Sequence, residues 1–384
     1  MKVLFITPWY PHSQNPSSGI FVKDLAKSVS GYVKPTVVHI HRSKSLEGLI
    51  SVSKYAEDGL SVYRISVRHL PLKFHVFLFI AVIGHLLKIE KEVQPDIIHA
   101  NVYHAGIFSI ILGRLRGIPV VLTEHMVFRK GSEGSPLDAV RQFFGRFALN
   151  RAHLVTSPSV FFKRHLRGAG ISSEIKVVPN AVDTSLFRPV PRRGADTDRV
   201  KMLYVGWIDS IKGIDRLLVA IEELLKMRND FSVQIVGEGG LKEPCIEMCR
   251  RKGMDGFVVF LGSKSRDEVI RLMQECDFLV LPSSWEVFGV VVIEAMACGK
   301  PVVVSDKGQK EIVVTKAGLV VDAANPGLLA EALNFMIENH RKFPSSFIRK
   351  YTSSKYSYEV IGEMLVDVYS RVRSQYEQMH SKAC

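Results

Sequence analysis

A chain of 384 residues with 47% hydrophobic content can bury two cores and favours two domains, and its five cysteines, odd in number and in no framework spacing, exclude a disulfide scaffold and point to a reducing compartment. Residues 1–190 carry 24 Lys and Arg against 12 Asp and Glu, whereas residues 191–384 carry 27 against 26, so nearly all of the net +13 lies in the first half. That half also holds eleven of the 13 histidines. A basic half predicts an anionic partner, but no nucleic-acid motif accompanies the charge, so nucleic acid is not expected.

The opening MKVLFITPWYP reads as a strand followed by prolines, too short and too soon interrupted for a signal peptide, so a cytoplasmic protein is expected. Apolar and β-branched runs predict strands at residues 3–7, 36–40, 61–65, 97–100, 120–123, 154–157 and 176–178. Residues 74–87 (FHVFLFIAVIGHLL) fall short of the roughly twenty needed to span a bilayer. They predict a core helix, with an interfacial helix as the alternative, because Arg64, Arg68, Lys73, Lys88 and Lys91 flank them. Residues 141–151 (RQFFGRFALNR) raise the same choice: Phe143, Phe144 and Phe147 either enter a core or lie on an anionic bilayer.

Residues 183–199, rich in Pro, Arg and Asp and without a period, separate the halves. Beyond them strands are predicted at 201–205, 231–236, 258–261, 278–281, 302–305 and 319–321, with helices at 215–226 and 267–275. Cys245 and Cys249 share a helix face but lack a second ligand pair, so they are read as thiols rather than a metal site. The alternation is α/β twice over: an N-terminal Rossmann-like domain at 1–184, a linker at 185–199, a second such domain at 200–350, and a helical segment at 351–384. Ligands bind outside the carboxyl ends of parallel strands, so two such sheets are expected to face each other across a cleft.

The stretch SSWEVFGVVVIEAMACGKPVVVSD (283–306) is apolar almost throughout yet holds Glu286 and Glu294. A helix apolar on every face except Glu294 is a buried helix, and a buried carboxylate needs a polar partner. Either a structural pairing or a ligand bearing hydroxyls meets that need. Phe288 and Gly289 open the helix, where free amides and the helix dipole favour a phosphate. The loop Gly206–Gly213 after a strand places Lys212 near a helix N-terminus, and Gly237 and Gly239 follow another strand, a weak signal alone.

Together these residues resemble a known pattern. Glu286-Val-Phe-Gly, Glu294-Ala-Met-Ala, Gly299 and Pro301 are similar to the E-x7-E signature of retaining nucleotide-sugar glycosyltransferases of family 4, which have the GT-B fold. Pro179 to Asp183 resembles P-N-G-V-D with Ala181 for glycine, Gly206 to Gly213 resembles G-R-L-x-x-x-K-G, Gly237 to Gly239 matches G-x-G, and Lys307 to Glu311 resembles G-G-x-x-E without its first glycine. Ser18-Gly19-Ile20-Phe21-Val22 sits where the family's first glycine loop approaches the donor phosphates, Thr123-Glu124-His125 matches its histidine-bearing strand end, and Tyr356 to Gly362 resembles the final helix that crosses back to the first domain.

The resemblance implies a hexosyltransferase-type enzyme that moves a sugar from a nucleotide-diphosphate donor to an acceptor hydroxyl with retention. It implies catalytic roles for Glu286 (donor sugar), His125 (reacting sugar) and Lys212 (diphosphate). Donor binding falls to Gly19, Gly206, Trp207, Gly237, Gly239, Val287, Phe288, Gly289 and, for the ribose, Glu294. Trp207 stands where the family usually has an arginine. No cofactor or metal is expected, since no D-x-D appears where a metal would be held between donor and protein, and a cation, amides and a helix dipole can stabilise the departing diphosphate. The basic half points to a lipid-linked or polysaccharide acceptor and peripheral contact with the inner face of the plasma membrane. The alternatives are a nucleotide-sugar epimerase on a similar two-lobed fold and a non-catalytic basic binding protein; product analysis with a labelled donor and an acceptor separates them.

Overall fold

The structure, a computed structural model, describes residues 1–70, 75–126, 136–191 and 199–381. It divides into two compact units, Met1–Ala181 with Tyr358–Cys384, and Val182–Ser357.

In the first unit, β1 (Lys2–Thr7), β2 (Lys34–Ser43), β3 (Ile50–Glu57), β4 (Leu60–Arg68), β5 (Ile97–Asn101), β6 (Val120–Thr123), β7 (Leu154–Ser157) and β8 (Ile175–Val177) form one eight-stranded sheet in the order β3-β4-β2-β1-β5-β6-β7-β8. Every pairing is parallel except β3 with β4. Helices cover both faces of such a sheet, which is why β5, β6 and β7 are wholly buried with no alternation of buried and exposed residues. β3 was not predicted: its sequence ISVSKYAE is polar and mostly exposed at the sheet edge. The signal for it is the turn, since Asp58 and Gly59 both adopt positive φ, the two-residue hairpin geometry that Asp-Gly favours.

The helices of this unit are α1 (Ile20–Ser28), α2 (His75–Val93), α3 (Val102–Arg116), α4 (Pro136–Arg151), α5 (Val160–Gly168) and, from the end of the chain, α12 (Tyr358–Ser381). Gly362 of α12 lies so close to α1 that a Cβ there would sit 2.1 Å from the Ser28 carbonyl. Behind it Tyr369 bonds His99 Nδ1 at 2.6 Å, His99 Nε2 bonds Thr123 Oγ1 at 2.6 Å, and Thr123 bonds Thr156, a buried polar chain running from α12 across three strands. The expected C-terminal segment thus joins the first unit only from Tyr358 onward.

α2 buries Leu78, Val82, Leu86 and Ile89 but exposes Val76, Phe77 and Ile80, so it is a core helix along one face only; Lys73 and Phe74 lie outside the described residues. On α4, Ala148 and Leu149 are buried while Phe143 and Phe144 are 66% and 44% exposed, which removes these two phenylalanines from the core. Among the described residues no helix is long and apolar enough to cross a membrane.

The second unit holds β9 (Val200–Val205), β10 (Phe231–Val236), β11 (Val258–Gly262), β12 (Phe278–Leu281), β13 (Val302–Ser305) and β14 (Gly318–Val321) in the order β11-β10-β9-β12-β13-β14, all parallel. Numbered within the unit this is 3-2-1-4-5-6, the doubly wound order, and the direction of winding reverses between β9 and β12. The helices α6 (Ile214–Leu225), α7 (Lys242–Arg251), α8 (Arg266–Glu275), α9 (Val290–Ala297), α10 (Pro326–Asn339) and α11 (Ser345–Tyr356) pack around it. The unit begins earlier than the expected linker: Phe187 is fully buried in its core, and Arg349 donates to the carbonyls of Thr184, Phe187 and Ala297. Residues 192–198 of that linker lie outside the described residues. Cys245, Cys249, Cys276 and Cys298 are free and buried, and burial pushes the Cys276 thiol up to about 12, so it stays protonated and inert. Cys384 lies outside the described residues.

Candidate functional site

The reversal of winding in the second unit sets two loops, β9–α6 and β12–α9, side by side at the carboxyl ends of the strands, the place where such sheets bind ligands. They are joined by backbone: Ser284 N–H donates to the Ile211 carbonyl at 2.7 Å, and Gly213, at φ 77°, approaches Pro282 so closely that a Cβ would meet its carbonyl oxygen at 2.2 Å. This closure brings Lys212 to Glu286. The ammonium donates to Glu286 Oε2 at 2.7 Å, and Ser283 Oγ lies 3.3 Å from the same oxygen. Glu286 is only 8% exposed, so the sequence question of what meets a buried carboxylate has a first answer: a lysine 74 residues earlier in the chain.

Gly206, Gly237 and Gly239 line the same end of the sheet. Gly237 sits at φ 144° where a Cβ would lie 1.9 Å from the Gly206 carbonyl, and Ile208 N–H donates to the Glu238 carbonyl at 2.9 Å, so the β9 and β10 loops are held backbone to backbone. Trp207 points outward, 62% exposed, with its carbonyl accepting from Tyr204 at 2.7 Å. An aromatic ring at that place offers stacking surface rather than charge.

α9 begins with Gly289 as its N-cap at φ 80°, with no side-chain cap, and Glu294 is buried one turn inside it. Phe288 is buried edge-on against Tyr356, at 5.7 Å between centroids, and Val287 is half-buried beside it. One residue absent from the sequence expectations enters here. Gln309, fully buried after β13, uses Oε1 to accept from Ser305 N–H at 3.2 Å, while its Nε2 has no partner among the described residues and would lie 3.1 Å from a Cβ on Gly289. A helix N-terminus, an unspent amide N–H and a nearby ammonium make a donor-rich group suited to anionic oxygens. Gln309 lay within the quoted Lys307–Glu311 loop, but a neutral glutamine carries no sequence signal; only its register places it.

In the first unit, Gly19 is the N-cap of α1 at φ 62°, packed on the Trp9 carbonyl, and the Phe21 ring lies tilted against His125 at 4.3 Å between centroids. His125 follows β6; its Nε2 is buried without a partner among the described residues, and burial lowers the imidazole to about 3, keeping it neutral. The preceding Glu124 is fully buried, and burial raises its carboxyl to about 7 against three backbone N–H donors that pull it back.

The same unit contains a cavity of about 710 Å³ at the carboxyl ends of its strands. Leu78, Phe79, Phe108 and Phe144 supply an apolar wall, with Phe79 stacked on Phe108 at 4.6 Å, and Arg42 and Arg68 a basic one. None of the described residues lining it is acidic. Beside it His12, His39 and His41 lie with ring centroids 4.6 to 6.0 Å apart, and burial lowers all three. Among the described residues no group of three His, Cys, Asp or Glu is placed to hold a metal ion.

Comparison with known proteins matches the chain to glycosyltransferases. The family model described as Glycosyltransferase Family 4 matches residues 49–186 and that of Glycosyl transferases group 1 matches 190–352. An uncharacterized glycosyltransferase of Methanocaldococcus jannaschii is 27% identical over 351 residues, covering 88% of this chain and 89% of that one. A D-inositol 3-phosphate glycosyltransferase of Arthrobacter is 24% identical over 380 residues, covering 88% and 87%. Among solved structures, sucrose-phosphate synthase from Thermosynechococcus elongatus superposes with a TM-score of 0.77 at 18% identity, covering 98% of this chain and 100% of that one. HepE of Anabaena, in complex with UDP and glucose, superposes with a TM-score of 0.73 at 20% identity, covering 96% and 99%. These structures share the GT-B fold.

Proposed function

Because the chain is a glycosyltransferase of family 4 with the GT-B fold, we propose that it moves a sugar, with retention at the anomeric carbon, from a nucleoside-diphosphate sugar to an acceptor hydroxyl. The observation that carries this reading is the group at the winding reversal of the second unit: Lys212, Glu286, the uncapped α9 terminus and Gln309 within two joined loops. Lys212, Gln309 and the Gly289 end of α9 hold the diphosphate, Glu294 the ribose and Glu286 the donor sugar. Gly237 and Gly239 let the β9 and β10 loops close on each other beside Gly206, and Trp207 and Val287 flank the nucleotide. His125 and Gly19 act on the reacting sugar and the phosphates. The complex of HepE with UDP and glucose supports a donor of this class. Calorimetry against UDP, GDP, ADP and their sugars, followed by transfer from a labelled donor, tests the assignment; no binding to any of them would refute it.

The reaction is proposed to need no metal, since Lys212 and the helix terminus supply the positive charge that a departing diphosphate requires. Activity is expected to persist in excess chelator. Complete loss, restored by magnesium or manganese, would show that an ion neutralises the diphosphate.

For the acceptor we propose a lipid-linked sugar at the cytoplasmic face of a membrane. The cavity of the first unit joins a basic wall to an apolar one, and the exposed Val76, Phe77, Ile80 and Phe143 extend the apolar surface of α2 and α4. Basic residues near an anionic surface contribute on the order of 1 kcal/mol each. Sedimentation with vesicles is expected to show binding only with anionic lipid, weakening as salt rises. A protein that stays in the supernatant with and without anionic lipid, at low and physiological salt, has a soluble acceptor.

A further inference from the structure

Asn101 occupies the N-cap of α3, the position where an asparagine side chain ordinarily accepts a backbone N–H of the first turn. Here it does not. Glu124, from the end of the neighbouring strand, takes that N–H instead: its Oε2 accepts from Tyr103 at 2.9 Å, and its Oε1 accepts from His125 at 2.9 Å and from Met126 at 2.8 Å. The Asn101 side chain is therefore released from capping, and although it is fully buried, neither its Oδ1 nor its Nδ2 has a partner among the described residues. A buried amide with both ends unmet is rare, because each unmet group costs free energy comparable to a lost hydrogen bond.

Two neighbouring features point the same way. Val102, buried and β-branched, is held at φ 60°, a strained backbone at the place where the winding of the first sheet reverses between β1 and β5. Asn101 pairs in register with Thr123, two residues before His125, whose Nε2 is also buried and without a partner among the described residues. The Glu124 carboxylate, bonded to the Tyr103 and His125 amides, ties the two segments together.

We propose that Asn101, together with Nε2 of His125, is a receptor for the hydroxyl groups of a sugar ring at the carboxyl ends of β5 and β6. The chemistry selects this class. An amide needs a ligand that both donates and accepts; a phosphate oxygen satisfies Nδ2 but leaves Oδ1 unmet, and the Glu124 carboxylate already occupies the amides that would otherwise draw an anion. Vicinal hydroxyls satisfy both ends. The proposal rests on the glycosyl-transfer reading and adds to it a residue that fixes which sugar hydroxyls are recognised on the first unit.

The test compares wild type with Asn101→Ala and Asn101→Asp in the full chain. Asn101→Ala removes a buried unsatisfied amide, so its thermal midpoint is expected to equal or exceed that of wild type. Transfer kcat/KM is expected to fall about 10- to 100-fold, the scale of losing hydrogen bonds to hydroxyls, while nucleoside-diphosphate affinity holds within about two-fold. Ligand-observed NMR with free glucose, galactose and mannose is expected to show contact with wild type that Asn101→Ala weakens. A lowered midpoint with activity lost in proportion would make Asn101 a structural residue and overturn the proposal. Turnover within about three-fold of wild type would overturn it too. Should wild type neither bind nucleotide nor transfer sugar, the glycosyl-transfer reading fails, while the midpoint and the saccharide NMR still decide the role of Asn101.

Discussion

Glu286→Gln is expected to lower turnover by about two orders of magnitude while the Kd for free nucleoside diphosphate stays near the wild-type value. The substitution keeps the shape and one acceptor oxygen but removes the charge that the Lys212 ammonium meets at 2.7 Å, and with it the orientation of the donor sugar. Glu294→Ala should do the reverse. It sits one turn inside α9, where the proposed contact is with the ribose, so nucleotide affinity falls first and turnover at saturating donor suffers less. Calorimetry and steady-state kinetics on both variants separate the two roles. Wild-type turnover in both would remove the carboxylates from the site.

Lys212→Met is expected to weaken nucleoside-diphosphate binding about 10- to 100-fold and to reduce turnover by about 100- to 1000-fold, the range for deleting one charged stabiliser of a departing group. Methionine fills a similar volume, so the loss reports charge rather than packing. The variant also strands Glu286, a nearly buried carboxylate left with the Ser283 hydroxyl, and the thermal midpoint should fall. Adding Glu286→Gln to Lys212→Met should recover the midpoint without recovering activity, because the pair is then neutral on both sides. The losses in turnover should be less than additive, as for any two groups acting as a unit. An unchanged Kd in Lys212→Met would take the lysine out of diphosphate binding.

The sequence by itself determined the two α/β units and most strands, because a parallel sheet covered on both faces leaves its strands as apolar runs that stand out without any knowledge of neighbours. It also determined that α9 is buried, since Val290 to Ala297 offers no solvated face, and hence that Glu294 requires a polar environment. The strand β3 escaped because an edge strand buries little and reads as polar. Tertiary structure alone decided the partners. Lys212 and Glu286 meet because the winding of the sheet reverses between β9 and β12, a relation that no local pattern records. Gln309 faces the α9 terminus because the loop after β13 folds back on the Ser305 N–H, and Phe143 and Phe144 are exposed although a core helix is one reading of their sequence. Asn101 is the sharpest case: residue type and position predict a helix cap, but a carboxylate from the adjacent strand takes the amide first, and hydrogen bonding is a competition whose outcome depends on which groups the fold brings within reach.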